Sequence, residues 1–185
     1  MNIAVYSGSF NPLHKGHLAI LRYLTREAGF DRVYLVVTPL NPFKERHSLP
    51  TGQSRLDAAV AAVARHPDLK VKVDDIEMHM TPPQYTIRTL DALKEREPEN
   101  DFTLVIGADN LACFDGWRFY EQILTRYGVC VYPRKGYHRG HDKARLQKKC
   151  PGARIELLPA KLVTISSTQI RQAREKGEDM SRWLM

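Results

Sequence analysis

His14 and His17, two histidines three residues apart, are the side chains of this sequence best placed to do chemistry. They lie in the turn formed by residues 8–17, which follows the apolar run 3–6 and precedes an apolar pattern with helical spacing. The start of a helix collects unpaired backbone N–H groups and the positive end of the helix dipole, so anions bind there. Two imidazoles at that start add donors that can reach the same anion. The turn therefore predicts a phosphate-binding site.

The common phosphate-binding and metal-binding motifs do not account for this turn. It lacks the second Gly-Lys-Ser/Thr of a P-loop, and the chain has no G-x-G-x-x-G fingerprint. A zinc site would need further ligands, but Cys113, Cys130 and Cys150 contain no C-x-x-C pair. Purely structural histidines are a less favoured alternative, because two of them share one turn bounded by glycine and proline. We expect no protein-bound metal here.

The elements that position the turn alternate between strands and helices along the chain. Apolar runs predict strands at residues 3–6, 33–37, 71–73, 102–106, 129–132 and 155–158. Helical spacing of apolar residues predicts helices within 18–24, 55–63 and 87–93. Apolar strands separated by helices are typical of an α/β fold with a doubly wound parallel sheet of about six strands, in which 102–106 is expected to be central. Ligands of such folds collect at the carboxyl ends of the strands.

Composition and charge set the broad class of the protein. With 185 residues, 43% of them apolar, the chain can bury one sizeable core, so we expect a single domain over residues 1–185. The formal charge of +7 favours anionic partners such as nucleotides or nucleic acid. No run of 18 apolar residues and no N-terminal signal segment is present, so we expect no membrane partner. Three scattered cysteines fit a reducing compartment, and we expect a cytoplasmic location.

Two stretches of the sequence resemble the signatures of one known superfamily. Residues 8–17, GSFNPLHKGH, resemble the nucleotidyltransferase signature G-[ST]-F-[DN]-P-x-H-x-G-H. Residues 165–171, ISSTQIR, match I-S-S-T-x-I-R, the second signature of the same superfamily. From the residues alone, Ser166 and Gln169 form the pattern of a capping box at a helix start, which is a structural role. Because both signatures occur in order, the resemblance implies a Rossmann-like nucleotidyltransferase fold.

Further positions resemble the bacterial-type nicotinate (nicotinamide) mononucleotide adenylyltransferases of that superfamily. Lys44 follows the second strand in a P-x-x-P-x-K loop, where those enzymes more often carry Pro-Pro-His-Lys, and Arg55 lies on the next helix, where they also tend to carry an arginine. Tyr85 and Thr86 match the family's S-Y-T-x-x-T-L, although Thr86 could simply be a helix N-cap. The patterns G-x-D-x(7)-W and V-x-x-R-x-G also match, at Gly107, Asp109, Trp117 and Arg134. From the residues alone, the lysine could be solvated, the aspartate a helix cap and the tryptophan part of the core.

The resemblance implies transfer of the adenylyl group of ATP to nicotinate mononucleotide, which gives nicotinate adenine dinucleotide and pyrophosphate in NAD biosynthesis. It assigns catalysis to His14, His17, Lys44 and Arg171. It assigns ATP binding to Gly8, Ser9, Phe10, Gly16, Ser167 and Thr168. It assigns the mononucleotide side to Tyr85, Thr86, Gly107, Asp109, Trp117 and Arg134. It also implies Mg²⁺ held mainly by the phosphates of ATP and by water.

Three alternatives remain open at the level of the sequence. Nicotinamide mononucleotide could be the preferred substrate. Pantetheine-phosphate adenylyltransferases share both signatures, although the matches at Tyr85 and Trp117 argue against that family. A nucleotide-binding protein without catalysis is the third alternative, against which both histidines and Arg171 argue. The basic segment 134–149 is typical of a solvated face rather than a nucleic-acid site, because its aromatic content is low. We expect a monomer or a small homo-oligomer with no nucleic-acid partner.

Overall fold

Six strands form the centre of the structure, a computed structural model that describes residues 1–39, 51–162 and 164–185. The strands are β1 (Asn2–Gly8), β2 (Arg32–Val37), β3 (Val71–Asp74), β4 (Asp101–Gly107), β5 (Val129–Tyr132) and β6 (Ile155–Leu157). The six predicted strands are confirmed, with Leu158 of the last run falling just beyond β6. The backbone N–H of Leu158 still donates to the carbonyl of Val131 at 3.0 Å, so the pairing continues one residue past the strand.

The strands pair in one parallel sheet in the order β3-β2-β1-β4-β5-β6. The central neighbours are β1 and β4, so the strand predicted at residues 102–106 is central, as expected. From this pair the chain moves outward in opposite directions, first to β2 and β3 and later to β5 and β6. Because the direction of winding changes between β1 and β4, a crevice opens at the carboxyl ends of these two strands, which are Gly8 and Gly107. The predicted doubly wound parallel α/β fold is confirmed.

Helices cover both faces of the sheet. They are α1 (Lys15–Arg26), α2 (Gly52–Ala64), α3 (Thr86–Arg96), α4 (Ala108–Ala112), α5 (Tyr120–Gln122), α6 (Arg139–Lys149) and α7 (Ser167–Glu175). Short 3₁₀ turns cover Ile76–His79, Phe114–Gly116 and Ser181–Trp183, and a π-helical turn covers Ile123–Tyr127. Along β1, Ile3 and Val5 belong to one apolar cluster and Ala4 and Tyr6 to the other. Alternate residues of a strand point to opposite faces, so a sheet covered on both faces needs strands that are apolar at every position.

The N-termini of α7 and α3 test the two helix caps that the sequence suggests, at Ser166 and at Thr86. Ser166 is the N-cap of α7: its Oγ accepts the N–H of Gln169 at 3.2 Å, and Gln169 Oε1 accepts the N–H of Ser166 at 2.8 Å. The predicted capping box is confirmed. The alternative that Thr86 caps α3 is wrong, because Tyr85 is the N-cap, without a side-chain cap, and Thr86 is already the first helical residue. The segment before α3 is held by Arg88, in the first turn of this helix, whose Nη1 donates to the carbonyls of Thr81 and Pro83.

The described residues contain no membrane-spanning helix, no metal-binding cluster and no disulfide bond. Across residues 1–39, 51–162 and 164–185, no helix combines the length and the apolar character that crossing a bilayer requires. In those same ranges no group of three or more His, Cys, Asp or Glu side chains is arranged to hold a metal ion. Cys113, Cys130 and Cys150 are all free thiols, and the last two are buried.

Candidate active site

His14 and His17 lie at the start of α1, where the sequence predicts them, and they also cap this helix. His14 is the N-cap, and its Nδ1 accepts a hydrogen bond from the backbone N–H of Gly16 at 3.1 Å. The backbone N–H of His14 in turn donates to Nδ1 of His17 at 3.2 Å. Because each Nδ1 accepts, each neutral ring carries its proton on Nε2. The pair therefore offers two Nε2–H donors to an anion.

Both rings are buried, and burial keeps them neutral. His14 is 2% and His17 is 8% exposed, and their ring centroids are 3.8 Å apart. Burial, followed by the positive charge of Arg134, lowers the pKa of His14 from its ordinary 6.5 to about 4. Burial also lowers the pKa of His17, with further contributions from His14 and Arg134. At neutral pH the two imidazoles are therefore hydrogen-bond donors rather than cations.

The lowered pKa of His14 predicts a loss of stability in mild acid. Between pH 6.5 and about 4 the unfolded chain binds a proton at His14 that the folded chain does not, so falling pH favours unfolding. We expect this residue to lower the unfolding free energy by about 3 kcal/mol across that range. Urea unfolding at several pH values measures the effect against His14→Asn, which keeps a good N-cap but does not titrate. Parallel pH curves for the two proteins would contradict the prediction.

The second signature folds back onto the histidine turn. Ser167 Oγ donates to the carbonyl of Pro12 at 2.9 Å, although the two residues are 155 positions apart in the chain. Arg171 Nη1 donates to the carbonyl of Asn11 at 2.7 Å, and its Nη2 donates to Thr168 Oγ1 at 3.1 Å. The two signatures, distant in sequence, thus form one polar surface at the carboxyl end of the sheet.

A cavity of about 720 Å³ opens where these elements meet. Six residues singled out in the sequence line it: His14, His17, Asp109, Arg134, Ser167 and Thr168. Sequence reasoning did not assign the other five to the site: Lys135, Tyr137 and Thr164, and also Ser166 and Gln169, which it predicted only as a capping box. Lys135 belongs to the basic segment interpreted as a solvated face, and its place three residues after the end of β5 is the signal that could have identified it. With two cations, one carboxylate and several hydroxyls, the lining suits a polyanion.

A second cavity, of about 830 Å³, lies at the start of α6 and shares Tyr137 with the first. Its lining residues are Tyr137, His138, Arg139, Gly140, His141 and Leu157, none of which belongs to either signature. Arg139 Nη1 is used internally, because it donates to the carbonyls of Val131 and Leu158 at 2.8 and 2.7 Å. We therefore assign the candidate active site to the first cavity.

Asp109 and Arg134 form a loose ion pair in the first cavity. Arg134 Nε lies 3.7 Å from Asp109 Oδ1, and Arg134 Nη2 donates to the hydroxyl of Tyr132 at 3.3 Å. Asp109 Oδ1 and Arg134 Nε are both buried, and neither has a hydrogen-bond partner in the described part of the chain. A buried polar atom without a partner is costly, and most such atoms in proteins are paired. Both atoms therefore keep unused hydrogen-bonding capacity beside the cavity.

Gly107 provides the space that Asp109 occupies. It ends β4 and is the N-cap of α4, so the alternative that Asp109 caps this helix is wrong. A Cβ on residue 107 would clash with Asp109 Oδ1 and would lie 3.1 Å from the ring of Tyr132. The missing side chain lets the carboxylate lie over the end of the strand, at the cavity that the histidines line.

Other residues singled out in the sequence are not brought into this cavity. Five described residues do not belong to its lining: Tyr85, Thr86, Gly107, Trp117 and Arg171. Tyr85 is 42% exposed, and Trp117 is partly buried against Phe114, with ring centroids 4.8 Å apart. Lys44 lies outside the described residues, as does most of its loop. Their assignment to the substrates stays a prediction.

The rest of the first signature shapes the turn and does not line the cavity; these residues are Gly8, Ser9, Phe10 and Gly16. The N–H of Gly16 is already used by His14, so the sequence-based role in ATP binding does not rest on that group. The ring of Phe10 packs edge-on against His17, with centroids 5.2 Å apart. A Cβ on Gly8 would lie 3.2 Å from the Phe10 ring, so the glycine makes room for this packing.

Comparison with known proteins identifies the family. Residues 5–173 match the family model described as cytidylyltransferase-like, so fold and site together define a cytidylyltransferase-like nucleotidyltransferase. The chain is 39% identical over 180 residues to a probable nicotinate-nucleotide adenylyltransferase of Bacteroides fragilis, covering 97% of this chain and 85% of that protein. A protein of the same name from Flavobacterium johnsoniae is 37% identical over 180 residues, with 97% and 90% covered. The chain belongs to the nicotinate-nucleotide adenylyltransferase family.

Solved structures confirm the Rossmann-like nucleotidyltransferase fold. The nicotinic acid mononucleotide adenylyltransferase of Plasmodium falciparum, complexed with NaAD, superposes with a TM-score of 0.77 at 23% identity, covering 97% of this chain and 87% of that one. A putative nicotinate-nucleotide adenylyltransferase from Vibrio parahaemolyticus gives a TM-score of 0.66 at 24% identity, with 100% and 93% covered. At these identities the likeness concerns the fold alone.

Proposed function

We propose that this chain transfers the adenylyl group of ATP to nicotinate mononucleotide, giving nicotinate adenine dinucleotide and pyrophosphate in NAD biosynthesis. One observation carries the proposal: His14 and His17 form a preorganised donor pair in a chain with 37% and 39% identity to nicotinate-nucleotide adenylyltransferases over 97% of its length. The cationic and hydroxyl lining of the cavity supports a polyphosphate substrate.

The reaction is an in-line displacement at the α-phosphorus of ATP. An oxygen of the 5′-phosphate of nicotinate mononucleotide forms a bond to that phosphorus. The bond from the α-phosphorus to the oxygen that bridges to the β-phosphorus breaks, and pyrophosphate leaves with the electron pair. No side chain becomes covalently bonded, so the protein contributes positioning and stabilisation of charge.

His14 and His17 would donate to the α-phosphate, where charge develops as the bonds exchange. Their Nε2–H groups are directed by the hydrogen bonds that each Nδ1 accepts within the helix start. Donors that are fixed before the substrate arrives need no reorganisation during the reaction, which is the main source of electrostatic stabilisation in enzymes.

The β- and γ-phosphates, and then the departing pyrophosphate, would lie against the second signature. The hydroxyl of Thr168 stands at the start of α7, whose dipole also favours an anion, and the guanidinium of Arg171, about one turn later, donates to that hydroxyl. Lys135 adds a further cation from the end of β5. We propose the same charge-neutralising role for Lys44, on the sequence resemblance alone.

The mononucleotide side is proposed from the sequence, with Trp117 offering an aromatic face to the pyridine ring and Tyr85 and Thr86 lying near it. Asp109 by itself would repel a nicotinate carboxylate. Its loose pairing with Arg134, at 3.7 Å, offsets part of that negative charge. The preference for the acid over the amide is therefore compatible with an aspartate in the cavity.

Mg²⁺ is proposed to enter with ATP, held mainly by phosphate oxygens and water. Among the described lining residues, Asp109 supplies the single carboxylate, and its buried Oδ1 has no hydrogen-bond partner there. This donor set fits a cation with at most one protein ligand, as is usual for Mg²⁺ bound through substrate phosphates. When bound, the cation would neutralise charge on the phosphate groups.

We further propose a cytoplasmic enzyme with one domain over residues 1–185, acting as a monomer or small homo-oligomer without a nucleic-acid partner. The three free thiols fit a reducing compartment. The basic segment has internal uses that need no nucleic acid: Arg145 and Lys149 both pair with Asp115.

Product analysis tests the proposal. The purified protein, ATP and Mg²⁺ would be incubated separately with nicotinate mononucleotide, nicotinamide mononucleotide and phosphopantetheine, while pyrophosphate and the adenylylated product are followed by chromatography. We expect turnover with both pyridine mononucleotides and the higher kcat/KM with the nicotinate form. Turnover with phosphopantetheine alone would assign the chain to the pantetheine-phosphate adenylyltransferases. ATP binding without turnover of any acceptor would point to a non-catalytic nucleotide-binding protein.

A further inference from the structure

Arg55, on α2, is a buried residue that joins two loops at the carboxyl edge of the sheet. Its side chain is 2% exposed. Its Nη1 donates to the carbonyl of Ser9 at 2.7 Å and to the carbonyl of Thr38 at 2.8 Å. Ser9 directly follows β1 and Thr38 directly follows β2. One guanidinium nitrogen thus connects the loops that leave two neighbouring strands beside the crevice.

The burial of Arg55 is not explained by an ion pair within residues 1–39, 51–162 and 164–185. Burial lowers the pKa of Arg55, and no charged neighbour in the described part of the chain contributes to that shift. Its Nε and Nη2 have no hydrogen-bond partner in those ranges. Arg96, in contrast, makes a bidentate pair with Asp74 at 3.1 and 2.6 Å. Burying a cation is costly without a counter-charge. Among the described residues, the groups that this buried guanidinium binds are the two carbonyls.

The contact at Ser9 continues to the catalytic histidines. The carbonyl of Ser9 and the N–H of Phe10 belong to the same planar peptide unit, so holding one holds the other. Phe10 has a φ of 47°, a left-handed conformation that is uncommon for a residue other than glycine and persists only when the surroundings enforce it. Its ring is 6% exposed and packs on His17 with an interplanar angle of 84°.

We propose that Arg55 is a positioning residue for adenylyl transfer, which clamps the carbonyls of Ser9 and Thr38 and thereby holds Phe10 and, through it, His17. This inference rests on the proposed function for its kinetic consequence, but not for its structural one. Arg55 does not line the cavity and so acts through the turn rather than on the substrate. Its loss should lower kcat and leave both KM values nearly unchanged, because the groups that bind the ground state remain.

Three variants test the proposal: Arg55→Met, Arg55→Lys and Arg139→Met. Methionine keeps an unbranched, flexible side chain but donates nothing. Lysine keeps the charge and donates from a single nitrogen. Arg139 is the matched control, because its Nη1 also bridges two carbonyls at strand ends, those of Val131 and Leu158, away from the histidine turn.

The kinetic result should separate the two arginines. For Arg55→Met we expect kcat to fall tenfold to thirtyfold, less than the roughly 10²-fold loss that a misplacement of 1 Å can cause. Arg55→Lys should recover part of the loss, and Arg139→Met should keep kcat within about threefold at a comparable loss of stability. Equal losses of kcat in Arg55→Met and Arg139→Met would overturn the proposal.

The imidazole NMR resonances of His14 and His17 give a readout that does not depend on activity. We expect them to shift or broaden in Arg55→Met and to stay in place in Arg139→Met. Unchanged histidine resonances in a folded Arg55→Met would overturn the proposal, even if the wild-type protein failed to transfer adenylyl groups. If Arg55→Met does not fold, Arg55→Lys decides by a smaller shift of the same resonances, since its ammonium ends one bond short of the Nη1 position and can hold the two carbonyls only in part.

Discussion

Replacing His17 by alanine is expected to lower kcat for adenylyl transfer roughly 10³-fold while the fold stays intact. The ring lines the cavity and supplies one of its two neutral Nε2–H donors. Because the proposed role of that donor is to stabilise charge that develops in the transition state, the loss should appear in kcat more than in KM. Steady-state kinetics with ATP and nicotinate mononucleotide measure the effect, and circular dichroism verifies the fold.

A second variant, His17→Asn, separates catalysis from capping. The Oδ1 of asparagine can accept the backbone N–H of His14 at the place of Nδ1, but no atom replaces the Nε2–H donor. We expect kcat to be as low as in His17→Ala and the unfolding free energy to be closer to that of the wild type. His66→Ala, which removes a histidine that does not line the cavity, should keep its activity. Near-normal kcat in either His17 variant would rule out the proposed donor role.

Gly107→Ala is expected to lower kcat/KM roughly 10²-fold, because it displaces a cavity group by the width of a methyl. The added Cβ clashes with Asp109 Oδ1 and lies 3.1 Å from the ring of Tyr132. The side chain of Asp109 is 42% exposed and can rotate away, so the clash is relieved by moving the carboxylate rather than by unfolding. Kinetics and urea unfolding of the same variant should therefore show a large loss of activity and a small loss of stability.

The control for this prediction is Gly140→Ala, on α6. A Cβ there meets no heavy atom within 4 Å, so alanine should be neutral or slightly stabilising and should leave kcat/KM unchanged. A double variant, Gly107→Ala with Asp109→Ala, locates the cause. If the glycine acts through Asp109, the second substitution adds little to the first. Fully additive losses would show that the added methyl acts elsewhere.

Sequence reasoning predicts those parts of the fold that are encoded by residues close together in the chain. The four inner strands, β1, β2, β4 and β5, are covered on both faces, so their buried stretches are apolar and are visible without any knowledge of their neighbours. The capping box of Ser166 and Gln169 is equally local, because both partners lie within one helical turn. The location of the candidate site could be predicted because residues that follow parallel strands converge at one edge of the sheet.

What sequence reasoning missed depends on contacts between distant residues. The bond from Arg171 to Asn11 spans 160 positions, and no local pattern signals it. Lys135 looks like any other cation of a basic segment until β5 brings it to the cavity. The error at Thr86 has another cause: N-cap preferences are statistical, and here the helix begins one residue earlier than the favoured threonine would place it.

The hydrogen bonds at Nδ1 of His14 and His17 also explain the choice of residue at these positions. Lysine or arginine could donate to a phosphate, but neither has an acceptor for the backbone N–H of Gly16 or of His14. An imidazole has one nitrogen for each task, and the rigid ring keeps the two directions in fixed relation. The backbone at the start of α1 thus sets the direction of both Nε2–H donors, and these two donors are as rigid as the helix that carries them.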